Sequence, residues 1–87
     1  MEAEYHENDN TLRAPLCNFK VIGVLIQAGL EIQRGDPIIA LVANQMITSP
    51  IHCKIVEIHI QPGQPMHHGE LIAVVAPETA VAVRSGR

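Results

Sequence analysis

The stretch Ile22-Gly23-Val24-Leu25-Ile26-Gln27-Ala28-Gly29-Leu30-Glu31-Ile32-Gln33-Arg34-Gly35-Asp36-Pro37-Ile38-Ile39-Ala40-Leu41 decides the fold, because the chain says it twice. It returns as Val56-Glu57-Ile58-His59-Ile60-Gln61-Pro62-Gly63, then Gln64-Pro65-Met66-His67-His68-Gly69-Glu70-Leu71-Ile72-Ala73-Val74-Val75. Gly29 falls on Gly63, Gly35 on Gly69 and Asp36 on Glu70. The halves also open alike, with Ala14-Pro15-Leu16 and Ser49-Pro50-Ile51. Two copies of one strand-turn-strand unit in so short a chain predict a small pseudo-symmetric all-β fold. Whatever joins the copies is not dictated by that symmetry, and is the first place to look for function.

In the second copy, Val56, Ile58 and Ile60 alternate with Glu57, His59 and Gln61, the period of a half-buried strand. Gln61-Pro62-Gly63-Gln64-Pro65 and His67-His68-Gly69-Glu70 read as turns, since proline presets φ and glycine supplies positive φ. No helical period runs for a useful length. The chain of 87 residues holds one domain, and 47% apolar residues suffice for a core that is nearly free of aromatics, only Tyr5 and Phe19 being present.

A net charge of -3, with no basic run and no stacking platform, argues against nucleic-acid binding. No apolar run approaches the ~20 residues of a membrane span. The opening Met1-Glu2-Ala3-Glu4-Tyr5-His6-Glu7 is acidic and polar, unlike a secretory signal, so a cytoplasmic location is expected. Residues 1–12 read as a flexible N-terminal tail, 13–76 as the folded domain and 77–87 as a flexible C-terminal tail. Within the last of these, Thr79-Ala80-Val81-Ala82-Val83 is an alternative edge strand.

The paired small-Pro openings, the repeated Gly-x-x-hydrophobic-x-x-Gly-acid turns and the hairpin between the copies resemble the biotinyl/lipoyl domains. These are the carrier domains of biotin-dependent carboxylases and 2-oxoacid dehydrogenase complexes. The resemblance covers roughly residues 13 to 76. It implies a flattened barrel of two small sheets, a barrel-sandwich hybrid with a pseudo-twofold axis.

In that family the hairpin tip holds a lysine whose amine is acylated by the cofactor. Here the segment is Val42-Ala43-Asn44-Gln45-Met46. Counting forward from Gly35 puts Gln45 in the lysine's place, and counting back from Pro50 puts Val42 there. Neither side chain is a nucleophile toward an activated acyl group, so no biotin or lipoate is expected at the tip. The lysines of the chain, Lys20 and Lys54, lie early in each half and are expected away from the tip. Where the family has glycine after each proline this chain has Asn18 and Cys53. Asn18 is expected to take the left-handed conformation in glycine's stead, and Cys53 to mark a reshaped turn. One extra residue between Pro15 and Gly29 is expected as a bulge.

His52, His59, His67 and His68 invite a metal reading, but no Cys/His spacing matches a structural site, and solvated positions are expected instead. Cys53 beside His52 lacks an orienting third group and an oxyanion site, so no catalysis is expected. Cys17 and Cys53 are expected as reduced thiols, with a bridge between the halves left open.

The first copy shows Gly23 and Leu25 where the second shows outward Glu57 and His59, and continues into the apolar run Ile38-Ile39-Ala40-Leu41-Val42. That run reads either as core on both faces or as a contact surface for a partner or a second copy. Leu25, Ile39, Leu41, Asn44, Gln45 and Met46 are therefore the candidate partner-binding residues. The favoured function is a non-catalytic protein–protein interaction or assembly module without cofactor, such as a component of a secretion or conjugation machine. The alternative is an accessory carrier subunit of a carboxylase or dehydrogenase. A decoy that competes with true carriers is a third reading.

Overall fold

The structure is a computed structural model and describes residues 1–77. Its elements are β1 (Glu4–His6), β2 (Thr11–Arg13), β3 (Asn18–Val24), β4 (Glu31–Ile32), β5 (Pro37–Leu41), β6 (Gln45–Thr48), β7 (Cys53–Ile58), β8 (Pro65–His67) and β9 (Leu71–Pro77). One antiparallel sheet has the order β1-β2-β9-β7-β4, the other β6-β5-β3-β8. The all-β expectation therefore holds.

The repeat is written in the pairing. Val21 faces Leu41 and Val24 faces Ile39 in one sheet, as Ile55 faces Val75 and Ile58 faces Ala73 in the other. The N–H of Gly29 donates to the carbonyl of Ile55 and that of Gly63 to the carbonyl of Val21, both at 2.8 Å. Gly35 and Gly69 likewise donate to Ser49 and Ala14, at 2.8 and 2.9 Å. All four glycines have positive φ. Each copy thus closes its turns on the other copy's strand, and neither can complete its hydrogen bonding alone.

Between the sheets lies an aliphatic core in which Leu12, Ile38, Ile39, Leu41, Ile47, Ile55 and Ile72 are the largest fully buried aliphatic side chains. The buried Ser49 hydroxyl donates to the carbonyl of Ile51 at 2.7 Å, so its burial leaves no polar orphan.

Several expectations are corrected. Residues 1–12 are no loose tail: Thr48 donates its N–H to Met1 and accepts that of Ala3, the buried Ala3 joins the core, and β1 then pairs along β2. Their polar composition is no obstacle, because edge strands offer unpaired backbone groups to whatever lies beside them. The C-terminal tail lies outside the described residues except for Pro77, which ends β9 opposite Cys53. Val56 is exposed, because the register slips between Ile55 and Glu57 and turns it outward. A matching slip between Val21 and Gly23 turns Ile22 outward. Bulges thus occur in both halves, and the first half's extra residue sits in the exposed connection around Leu16. Asn18 opens β3 opposite His67 without positive φ, and Cys53 opens β7 as a buried core residue. Cys17 and Cys53 are both thiols, with no disulfide between them.

Candidate functional site

The β5–β6 hairpin joins the two copies, and its tip is built by backbone conformation. Ala43 and Asn44 both have positive φ, 64° and 58°, and reverse the chain between Leu41 and Gln45, which face each other across the ladder. Asparagine accepts this region; alanine is strained there by about 1–2 kcal/mol. Val42 lies at the base of the tip and donates its N–H to the carbonyl of Lys20 at 3.1 Å. Gln45 opens β6 and its amide donates to the carbonyl of Ala43 at 3.5 Å. The two residues competing for the family lysine's place therefore flank a crest made of Ala43 and Asn44. Lys20, expected away from the tip, has its backbone beside the tip's base.

Ile39 and Leu41 are wholly buried, so as partner-binding candidates they are corrected to core. The slip between Pro37 and Ile39 lets Ile38 and Ile39 both reach the interior, which explains the unbroken apolar run without any outside contact. Asn44, Gln45 and Met46 are exposed.

Leu25 and Met46 belong to one outer face. Gly23 pairs with Ala40 and Ala40 with Met46, so these residues form a row across β3, β5 and β6. Ile22 and Leu25 stand on either side of the row on the same chain, and Ile22, Leu25 and Met46 are 58%, 45% and 48% exposed. Ile22 was not foreseen, because a bulge hides from simple alternation, and Ala40 stood in the apolar run without being singled out. The pseudo-equivalent face of the other sheet is more polar, although Val56 stands 47% exposed where this one has Ile22. There the pairings put Glu57, Val74 and Thr11 in the places of Gly23, Ala40 and Met46. His59 meets Glu57 at 2.9 Å, and Thr11 is covered by β1 and donates its hydroxyl to Asp9 at 2.7 Å.

Among the histidines, His52 lies on Glu31 at 2.8 Å and His68 on Glu4 at 3.3 Å. Among the described residues no group of three His, Cys, Asp or Glu is placed to hold a metal ion. An open depression of about 320 Å³ is lined by Ile58, His59, Ile60 and Gln61, and its one ionisable group is already engaged by Glu57. Burial pushes the Cys17 thiol up, away from the reactive thiolate. Among the described residues no helix is long and apolar enough to cross a membrane, which says nothing of β-barrels.

No protein-family model matches the chain, and no curated protein does. Among solved structures it is similar to a single-chain, multi-domain long-chain acyl-CoA carboxylase, with a TM-score of 0.70 and 22% identity. The match covers 95% of this chain and 8% of that one. At such identity the likeness speaks for the fold. It is consistent with a biotinyl-like small β domain. The internal symmetry does not repeat the β5–β6 crest, and of the apolar face beside it only Ile22 and Ala40 keep apolar equivalents, in Val56 and Val74.

Proposed function

We propose that this chain is a non-catalytic protein–protein interaction or assembly module on a biotinyl-like fold, working in the cytoplasm without an attached cofactor. The observation that carries this reading is the tip itself, Val42-Ala43-Asn44-Gln45-Met46, which offers two amides and a thioether but no amine. Acyl attachment needs a nucleophile there. The crest is instead uncharged, beside the exposed Ile22, Leu25 and Met46, a composition suited to docking. A component of a secretion or conjugation assembly is one setting for such a module.

The test is capture of the protein at native level from its own cells, with intact mass measured on the same sample. Unmodified mass together with assembly components bound through Leu25 supports the module. An acyl adduct overturns it.

The second reading, an accessory carrier subunit, is favoured by one observation: Lys20 is exposed and its backbone is hydrogen-bonded to Val42 at the tip's base. An adduct mapped to Lys20, with carboxylase or dehydrogenase subunits captured, would establish that reading in place of the first.

A further inference from the structure

We infer that the outer face of the β6-β5-β3-β8 sheet is a two-fold docking surface for a second copy of this chain. The inference rests on the module reading and names its partner. The middle of the face is low, since Gly23 has no side chain and Ala40 only a methyl, while Ile22, Leu25 and Met46 rise around it.

Two opposite side-chain charges mark opposite corners of this centre, and the Met1 ammonium also borders it, on the Met46 carbonyl at 2.9 Å. Lys20 precedes the buried Val21 and so points outward, and its carbonyl accepts the N–H of Val42, which puts it at the tip end of β3. Glu2 precedes the buried Ala3 and bridges Thr48, which faces Pro37, so it lies beyond β6 at the far end of the sheet. Both are exposed, and among the described residues neither belongs to an ion pair. The carboxylates Glu4, Glu31 and Glu57, by contrast, each meet a histidine.

A two-fold axis lying in the contact plane, across the Lys20–Glu2 diagonal, sets Lys20 of each copy on Glu2 of the other. The same operation lays the apolar centre on itself. Such self-complementarity is what an isologous contact requires. The other sheet's face keeps an exposed Val56 in Ile22's place but has Glu57 and His59 where this one has Gly23 and Leu25, and so offers a weaker apolar counterpart. Three half-exposed side chains amount to a few hundred Å² per copy, less than the ~800 Å² per partner of a stable complex. The dimer is therefore weak and reversible, and charge placement fixes its orientation more than its strength.

Sedimentation equilibrium of the full chain, run from about 10 μM to 1 mM to span weak dissociation constants, tests this, with circular dichroism as the fold control. A concentration-dependent dimer is expected. Leu25→Glu should weaken it at least tenfold, and Lys20→Glu about threefold to tenfold, the range of a rim charge pair. Lys20→Glu combined with Glu2→Lys should restore it. A wild-type protein that stays monomeric at about 1 mM overturns the inference, as does a dimer indifferent to Leu25→Glu or one that the charge swap fails to rescue. A monomer that still captures another protein through Leu25 would sink self-association and spare the module reading. An acyl adduct would sink the module reading whatever the sedimentation result.

Discussion

The N–H of Ala3 donates to the carbonyl of Thr48 at 2.9 Å, tying the start of the chain to the outer edge of β6. A few residues later β1 pairs along the edge of β2. These two edges are pseudo-equivalent, since β6 flanks β5 as β2 flanks β9. One short segment thus covers both, leaving the three-residue β1 as an edge of its sheet, too short to recruit another strand readily.

Ala3→Asp should release this strap, because it places a carboxylate where the methyl is buried. The expected loss is about 2–4 kcal/mol, as for a buried polar group without a partner. Hydrogen exchange gives the local readout. The Thr48 amide, which donates to Met1, should lose protection, while the Ile39–Ile47 ladder inside the hairpin keeps its own. Equal loss at both places would mean that the strap is no separate unit.

Gly29 and Gly63 do equivalent work in the two copies, at φ 91° and 89°. A Cβ added at either would meet nothing within 4 Å, so an alanine there is opposed by backbone strain alone. Gly29→Ala and Gly63→Ala should each cost about 1–2 kcal/mol in urea denaturation. Gly23→Ala, whose new methyl would lie 3.8 Å from that of Ala40 with no positive φ, should change stability by less than about 0.5 kcal/mol.

Asp9 makes the β1–β2 turn sensitive to acid. The hydroxyl of Thr11 donates to its carboxylate at 2.7 Å and the Arg13 guanidinium lies 3.4 Å away; the first chiefly, then the second, hold its pKa below the ordinary aspartate range against an opposing desolvation. A depressed folded pKa means stability that is present above the unfolded pKa and lost as pH falls through the folded one. Asp9→Asn should therefore lower stability slightly at neutral pH. The difference from the wild type should shrink below about pH 4 and vanish in stronger acid. A difference that persists there would assign the effect to the amide's shape.

The register of Gly29, Gly35, Gly63 and Gly69 made a pseudo-symmetric all-β fold legible from residues alone, because such turns depend on local chemistry, whereas the two-sheet barrel came only with the family resemblance. Leu25 against His59 was legible for the same reason, as a symmetric pair whose chemistry differs. The strap was not. Nothing local in Met1-Glu2-Ala3 signals a strand, and its pairing comes from an edge far along the chain. Ile22 and Val56 were hidden by bulges, which shift alternation by one residue; Gly23 adjoins the first, but no glycine or proline marks the second. Ile39 and Leu41 were mistaken for surface because a sequence shows an apolar run but not the slip at Pro37/Ile39 that lets it turn inward.

Ala43 holds φ 64° at the hairpin tip with no glycine or asparagine to ease it. Ala43→Gly should relieve about 1–2 kcal/mol of strain and return about 0.4–1 kcal/mol through the looser unfolded chain. A net gain of about 0.5–1 kcal/mol in urea denaturation is expected. A loss would show that the Ala43 methyl, the one group the substitution removes, stabilises the crest by more than the strain it carries.

Ile39 in β5 and Leu25, one residue beyond the end of β3, distinguish a core position from a proposed contact position. Ile39 is wholly buried, so Ile39→Ala leaves a cavity and should cost about 2–5 kcal/mol in the isolated chain. Leu25 is nearly half exposed, so Leu25→Ala should cost about 1 kcal/mol or less in a dilute monomer, measured by thermal or urea denaturation. Its effect should appear on association instead. If Leu25→Ala destabilises the dilute monomer as strongly as Ile39→Ala does, Leu25 is core, and the outer face loses the side chain on which its role in binding depends.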